Sequence, residues 1–352
     1  MAEQAQQLFL EQCRRYPALR PEDLIKALHQ SVFGCGHLVE DAAGGLSYLK
    51  EEAAAARCAE MEPLGSAFAR VHLGVLRETG LRAETLFRLF FLSAQTPCGT
   101  PEEAEQGLAA LASLADADAL PFSPQEIDAA AQSWRSRGYP ACHHSAAFRA
   151  AYAPAYRVVR RDYARALPLL AAIDRLLAEH PQVIVAIEGG SASGKTTLSA
   201  QLQQIYGCNV FHMDDFFLRP QQRTPQRYAE SGGNVDRERF YEEVLAPLRA
   251  GKPVTFRRYE CRSQTLAEPC TVPPRALSIV EGAYSLHPLL ADAYDLRVFL
   301  RTPPEVQRRR ILKRNGPEVA QQFFQRWIPL EQQYFAAMEP IRQCDLILEE
   351  TE

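Results

Sequence analysis

The 352-residue chain contains no apolar run approaching the ~20 residues of a membrane span, so no membrane-spanning helix is expected. Its start, Met1-Ala2-Glu3-Gln4, has neither the basic nor the apolar stretch of a secretory signal, and a cytoplasmic location is the expectation. Strong charge is missing too. The formal net charge of -4 gives no general reason to expect nucleic acid or an anionic membrane as a partner. No C-x-x-C pair occurs among the nine cysteines, and an odd, scattered set argues for reduced thiols rather than a disulfide framework or a thiolate zinc site. Internal repeats and low-complexity tracts are also lacking; Ala53 to Ala56 is simply good helix material. What remains is ordinary globular composition, 47% hydrophobic and 23% charged, in a chain long enough for two cores.

Two halves differ in their periodicity. Every periodic segment before about residue 180 reads as helix: Pro21 to Phe33 ending at Gly34, Leu46 to Cys58, Ala67 to Arg77, Leu81 to Leu92 and Pro168 to Glu179. Thr100-Pro101-Glu102-Glu103 and Ser123-Pro124-Gln125-Glu126 each place a hydroxyl cap, a first-turn proline and a carboxylate three residues on, which predicts two capping boxes. After residue 182, short apolar strands alternate with helices, at 183–188, 208–212, 277–281, 296–300 and 345–349, with an additional strand near Pro253 to Phe256. The expected architecture is α/β: a P-loop NTPase-type parallel sheet sandwiched by helices over 181–352, preceded by an all-α domain over 1–180 whose role the sequence does not reveal.

The sharpest local signal is Gly189-Gly190-Ser191-Ala192-Ser193-Gly194-Lys195-Thr196-Thr197, which fits G-x-x-x-x-G-K-[ST]. It follows the β-branched run Val183 to Ile187 and precedes Leu198, Leu202 and Ile205 at helical spacing, the order strand, loop, helix that a phosphate-binding loop needs. Glycines let successive backbone N–H groups turn inward to a phosphate, and the helix N-terminus adds its positive end. Lys195 then reaches the β- and γ-phosphates of ATP, and the Thr196 hydroxyl ligates Mg²⁺.

Two further strands end in acids. Val210-Phe211-His212-Met213 runs into Asp214-Asp215, and Ser278-Ile279-Val280 runs into Glu281. Ligands of open α/β sheets bind beyond the carboxyl ends of the strands, so these carboxylates fall beside the phosphates. One of the Asp214-Asp215 pair can take a proton from an attacking hydroxyl while the other holds water around Mg²⁺; the plain alternative is a turn that merely uses aspartates. Glu281 resembles a Walker-B acid supporting the metal. Arg301, Arg308, Arg309, Arg310, Lys313 and Arg314 crowd a helix expected to start at Pro303-Pro304-Glu305. They form either a lid that neutralises transferred charge or a solvated basic helix.

These motifs together resemble the uridine kinase and phosphoribulokinase group of P-loop kinases, over about residues 182 to 349. The resemblance implies an ATP- and Mg²⁺-dependent kinase acting on a small-molecule hydroxyl. It also implies Asp214 as the base, Arg310 and Arg314 as lid arginines, and Asp236, in Asn234-Val235-Asp236 ahead of a helix over Arg239 to Leu248, as an acceptor contact. Thr196, Glu281 and Asp215 would serve the metal. Uridine kinases hold the pyrimidine with a tyrosine, a phenylalanine and a histidine in a hairpin. Here Tyr259 matches, but Cys261 and Gln264 occupy the other two places. The acceptor therefore stays open among another nucleoside, a sugar, a pantothenate-like compound and a hydroxy acid.

Two other classes compete. An ATP-dependent regulatory switch would need neither an acceptor base nor a lid, and an RNA 5′-hydroxyl kinase would need a basic groove that the net charge does not promise. In the first half, His37, His72, His143 and His144 either gather around a metal or acidic ligand or are ordinary structural histidines, the second being the expectation. Tyr152, Pro154, Tyr156 and Arg157 read as packing and linker residues.

Overall fold

The computed structural model describes residues 2–35, 42–96 and 98–349. The chain divides into two compact units, one running up to Asp174 and the other from Arg175 onward, the division falling inside the helix Leu167–Glu179.

Most of the N-terminal unit is helical. Pro21–Phe33 forms and is stopped at Gly34, and the helices expected from Leu46 and Leu81 run over Ala42–Ala55 and Ala83–Ala94. Both capping boxes are present: the Thr100 and Ser123 side chains accept from the N–H groups of Glu103 and Glu126, whose carboxylates accept from the cap N–H groups in return. Apolar faces of these helices close around Phe9, Leu24, Leu28, Leu111, Trp134 and Phe148.

The expected all-α half nevertheless carries one small antiparallel sheet of β1 (Met61–Leu64), β2 (Phe68–His72) and β3 (Tyr156–Arg160), in the order β1-β2-β3. This corrects the helix read over Ala67 to Arg77, where only Val75–Thr79 is helical. Phe68 and Val71 mimic a helical i, i+3 pair. In fact all five residues of β2 are buried, so no solvent-facing stripe exists to set a period. Long-range pairing with β3, almost ninety residues away in sequence, decides the strand.

The C-terminal unit is a parallel sheet of β4 (Val183–Gly189), β5 (Asn209–His212), β10 (Leu277–Glu281), β11 (Leu296–Arg301) and β12 (Leu346–Glu349), ordered β12-β11-β4-β10-β5 and covered by helices, a P-loop NTPase-type fold. Every strand of the sheet lies where its apolar run predicts. β4 is central and buried along its whole length, which suits an uninterrupted apolar run. Register between β4 and β10 is Val183↔Leu277 through Ile187↔Glu281, and between β10 and β5 it sets Glu281 opposite His212. The carboxyl ends of the three neighbouring strands therefore meet at one edge. Two small antiparallel pairs lie outside this sheet: β6 (Val254–Phe256) with β9 (Cys270–Val272), and β7 (Tyr259–Glu260) with β8 (Thr265–Leu266). No described helix is long and apolar enough to cross a membrane, and the nine cysteines are unpaired.

Candidate active site

The loop after β4 folds as its glycines demand. Gly189 and Gly194 hold φ of +152° and +101°, and a Cβ on Gly189 would stand 2.7 Å from the Leu300 carbonyl oxygen. Lys195 opens the helix Lys195–Tyr206 and turns back over the loop, its Nζ donating to the carbonyls of Gly189 (2.9 Å) and Gly190 (2.8 Å). The Ser193 hydroxyl is buried in the loop with no partner among the described residues. A buried hydroxyl and an ammonium held over the loop are groups whose chemistry suits phosphate oxygens.

Around the loop stand the strand-end acids. Glu281 accepts from the Thr196 hydroxyl at 3.1 Å, and His212 Nδ1 lies 2.6 Å from the same carboxylate oxygen. That bond is the main cause that raises the His212 pKa, ahead of burial, which works against it. Asp214 and Asp215 sit in the single turn Met213–Phe216 directly after β5. Gly282, at φ +146°, permits this approach, since a Cβ there would stand 2.5 Å from the Met213 Cβ. Asp214 is exposed to solvent, with the protein enclosing it on one side. The enclosure raises its pKa, and Lys195 opposes the rise while Glu281 adds to it. Burial likewise raises Asp215, countered by Arg258 at 3.4 Å.

Two acids of this region escaped sequence reading. Glu188, the residue after the apolar run of β4, is fully buried and accepts from the N–H groups of Gly189 (3.1 Å), Tyr284 (3.0 Å) and Leu286 (2.9 Å) and from the Tyr334 hydroxyl (3.1 Å). Burial pushes its carboxyl up to about 7 against those bonds. Its signal was a carboxylate inside an otherwise buried strand, a combination that needs compensation. Glu331, in the helix Ile328–Met338, accepts from the Ser191 N–H (2.9 Å) and the Ser191 hydroxyl (2.5 Å). Nothing local in the sequence marks it, because its partner lies 140 residues earlier.

The arginine helix spans Pro304–Gln322 and breaks at Gly316, whose φ of +74° precedes Pro317. Its first leg reaches the loop: Gln307 Nε2 donates to the Ser191 carbonyl at 2.8 Å and Arg310 approaches the Ala192 carbonyl at 3.4 Å. Arg314 is not brought there with Arg310. It bonds Asn315 Oδ1 at 2.9 Å and stacks over Phe323 at 5.6 Å, because the break folds the second leg against it.

On the other side of Asp215, Asp236 is buried, caps Arg237–Phe240 and holds Arg239, with Arg219 at 3.6 Å. A cleft of about 530 Å³ lined by Arg219, Gln222, Asp236, Arg239 and Glu243 opens here, with Arg239 reaching the Asp215 carbonyl at 3.4 Å. Tyr259 is buried in the β7–β8 hairpin, and Arg223 bonds both its hydroxyl and Gln264. Cys261 is exposed.

Among the described residues, His72 and His144 meet separate carboxylates, although both rings pack against Tyr156. His72 lies 3.4 Å from Glu62, whereas His144 sits 2.9 Å from Asp23 and 2.7 Å from the Tyr156 hydroxyl; His143 is exposed and His37 lies outside the described residues. No group of three or more metal-ligating side chains occurs among the described residues. Tyr156, read as a packing and linker residue, is a half-buried residue of β3 whose ring packs against His72 and His144.

No family model matches the chain. Over 179 residues it is 31% identical to the bifunctional alpha-galactosidase/sucrose kinase AgaSK of Mediterraneibacter gnavus, covering 43% of this chain but only 18% of that protein. Over 183 residues it is 27% identical to the uridine kinase of Deinococcus deserti, covering 47% of this chain and 86% of that one. The solved structure of a possible uridine kinase from Bacillus stearothermophilus matches 51% of this chain with 22% identity and a TM-score of 0.39. These similarities, each over about half of the chain, and the parallel sheet agree with a C-terminal half that resembles uridine kinase-like P-loop kinases.

Proposed function

We propose that the C-terminal unit transfers the γ-phosphate of ATP, with Mg²⁺, to a hydroxyl of a small metabolite. The observation that carries this reading is Asp214, a solvent-exposed carboxyl with a raised pKa that interacts with Lys195, Glu281 and His212 just beyond the end of β5, beside the end of β10. A group poised in that way suits removal of a proton from an acceptor hydroxyl. The Ser193 hydroxyl, without a partner among the described residues, the loop amides and Lys195 fit the phosphates, and the Thr196–Glu281 pair fits a Mg²⁺ site with Asp215 nearby. When bound, the nucleotide supplies the transferable phosphoryl group and the metal neutralises charge on its oxygens. Lys195 then exchanges two carbonyls for phosphate oxygens, Arg310 covers the loop from the arginine helix, and Asp236 orients the acceptor.

The names of the two curated relatives point to a sugar and a nucleoside as acceptors. Arg223 bonds both Tyr259 and Gln264, two of the three hairpin positions that the resemblance assigns to pyrimidine contacts, and the cleft beside Asp236 is charged and non-aromatic. Both features support a hydroxyl-rich, base-free acceptor. An ATP-binding switch without kinase activity is the competing class, and an acceptor base is what it would not need. ATP consumption measured against sugars, polyols, nucleosides and hydroxy acids, with Lys195→Ala as the blank, separates them. Stimulation by sugars or polyols above uridine is expected. ATP binding with no acceptor-stimulated loss would sink the kinase reading.

A further inference from the structure

The phosphate loop is already in contact with an anion supplied by its own chain. The Ser191 N–H and hydroxyl, two donors at the loop, both point to the Glu331 carboxylate at 2.9 and 2.5 Å. Glu331 is 5% exposed, and burial raises its pKa against the Ser191 bonds and the nearby Lys195, with Asp214 adding to the rise. Its helix is fixed in place: Tyr334, one turn on, is fully buried, and its hydroxyl bonds Glu188 immediately before the loop. Gln307 grips the Ser191 carbonyl as well, so the residue is held through its donors and its acceptor. The approach is close. A Cβ at Gly190 would stand 2.9 Å from Gln307 Nε2 and 3.4 Å from Glu331 Oε2.

We infer that Glu331 is an internal anion seated against the phosphate loop, and that it sets the loop's affinity for phosphate-bearing ligands by competing for the Ser191 donors and repelling their charge. The inference rests on reading the loop as a phosphate site. Inward N–H groups at a helix N-terminus attract anions of either kind, and a carboxylate and a phosphate use the same donors. In an enclosed site, two like charges a few ångströms apart repel far more than in water, so the ligand binds only by displacing the carboxylate or by enduring it. Glu331 thereby keeps the loop ordered when it is empty and weakens its hold on a highly charged ligand.

Calorimetric titration of the full chain with Mg·ATP and, separately, with inorganic tripolyphosphate tests this in the wild type, Glu331→Gln and Glu331→Ala. Glu331→Gln keeps the shape of the side chain and removes the charge; its Kd for both ligands is expected to fall by ~10-fold or more. Glu331→Ala should shift the same way. A merely structural glutamate would give equal or weaker binding in both variants, and that result overturns the inference while leaving the kinase reading intact. Tightened binding without phosphorylation of any acceptor would instead sustain the anion seat and overturn the kinase reading.

Discussion

Each unit of this protein buries charged side chains, and the two do so with opposite results. In the N-terminal unit, Arg70 is fully buried yet meets Glu62 at 2.9 Å and Gln12 and Gln30 through its remaining N–H groups. Glu62 also accepts from Gln12 and Tyr16, and burial that would raise its pKa loses to Arg70 and these bonds, which hold it well below the usual carboxylate range. Asp23 behaves alike, lowered by His144 and Ser145 against its own burial. In the C-terminal unit burial wins instead. Glu188, Asp214, Asp215 and Glu331 all have raised pKa values. A buried carboxylate that meets a cation, as Glu62 meets Arg70, is held ionised and structural, whereas one given only neutral donors, as Glu188 is, stays inclined to keep its proton.

Asp214→Asn presses hardest on that contrast. It should lower kcat by ~10²–10⁴-fold with little change in ATP affinity and no loss of stability, because the ionised group is already disfavoured by its surroundings. Near-normal turnover on the preferred acceptor would remove Asp214 from the base role. Arg70→Leu is the reverse experiment: it leaves Glu62 buried without its cation and should cost about 3–5 kcal/mol in urea unfolding, with partial recovery when Glu62→Leu is added. A cost below about 1 kcal/mol would show that the polar cluster of the N-terminal unit is not structural in the sense argued.

Titration sharpens the comparison with a smaller effect. Burial lowers His144 from 6.5 to about 4, so between those values the unfolded chain takes a proton that the folded unit refuses, and stability rises with pH across that window. Burial raises Glu188 from 4.5 to about 7, so the folded unit keeps a proton that the unfolded chain releases, and this contribution is lost as pH rises through about 7. Each group accounts for at most about 3 kcal/mol. Segment-resolved hydrogen exchange at pH 5 and pH 7 should show Pro21–Phe33 and β3 gaining protection while β4 and β10 lose it. Movement of both units in the same direction would break the contrast.

What was legible in the sequence was whatever short-range chemistry enforces. The phosphate loop, the two capping boxes and the five strands of the parallel sheet are each written within ten residues or so, because a glycine's φ, a cap's hydrogen bond or a fully buried apolar run is a local requirement. The acids at the ends of β5 and β10 were legible for a related reason: a parallel sheet with this loop fixes where its strands end. Strand β2 was not, since five buried residues including a fully buried arginine carry no alternation, and only pairing with β1 and β3 gives Arg70 its partners.

The sequence by itself thus determined that there is a phosphate loop, which strands carry acids towards it, and that one half of the chain is a nucleotide-binding α/β fold. Tertiary structure alone decided which charges meet. It brought Glu331 to Ser191, set Arg310 by the loop and Arg314 against Asn315 and Phe323, laid Arg223 across Tyr259 and gave His72 and His144 separate carboxylates. Contacts between residues far apart along the chain are set by packing and by the need to satisfy every buried polar group, and neither leaves a period or a motif to read.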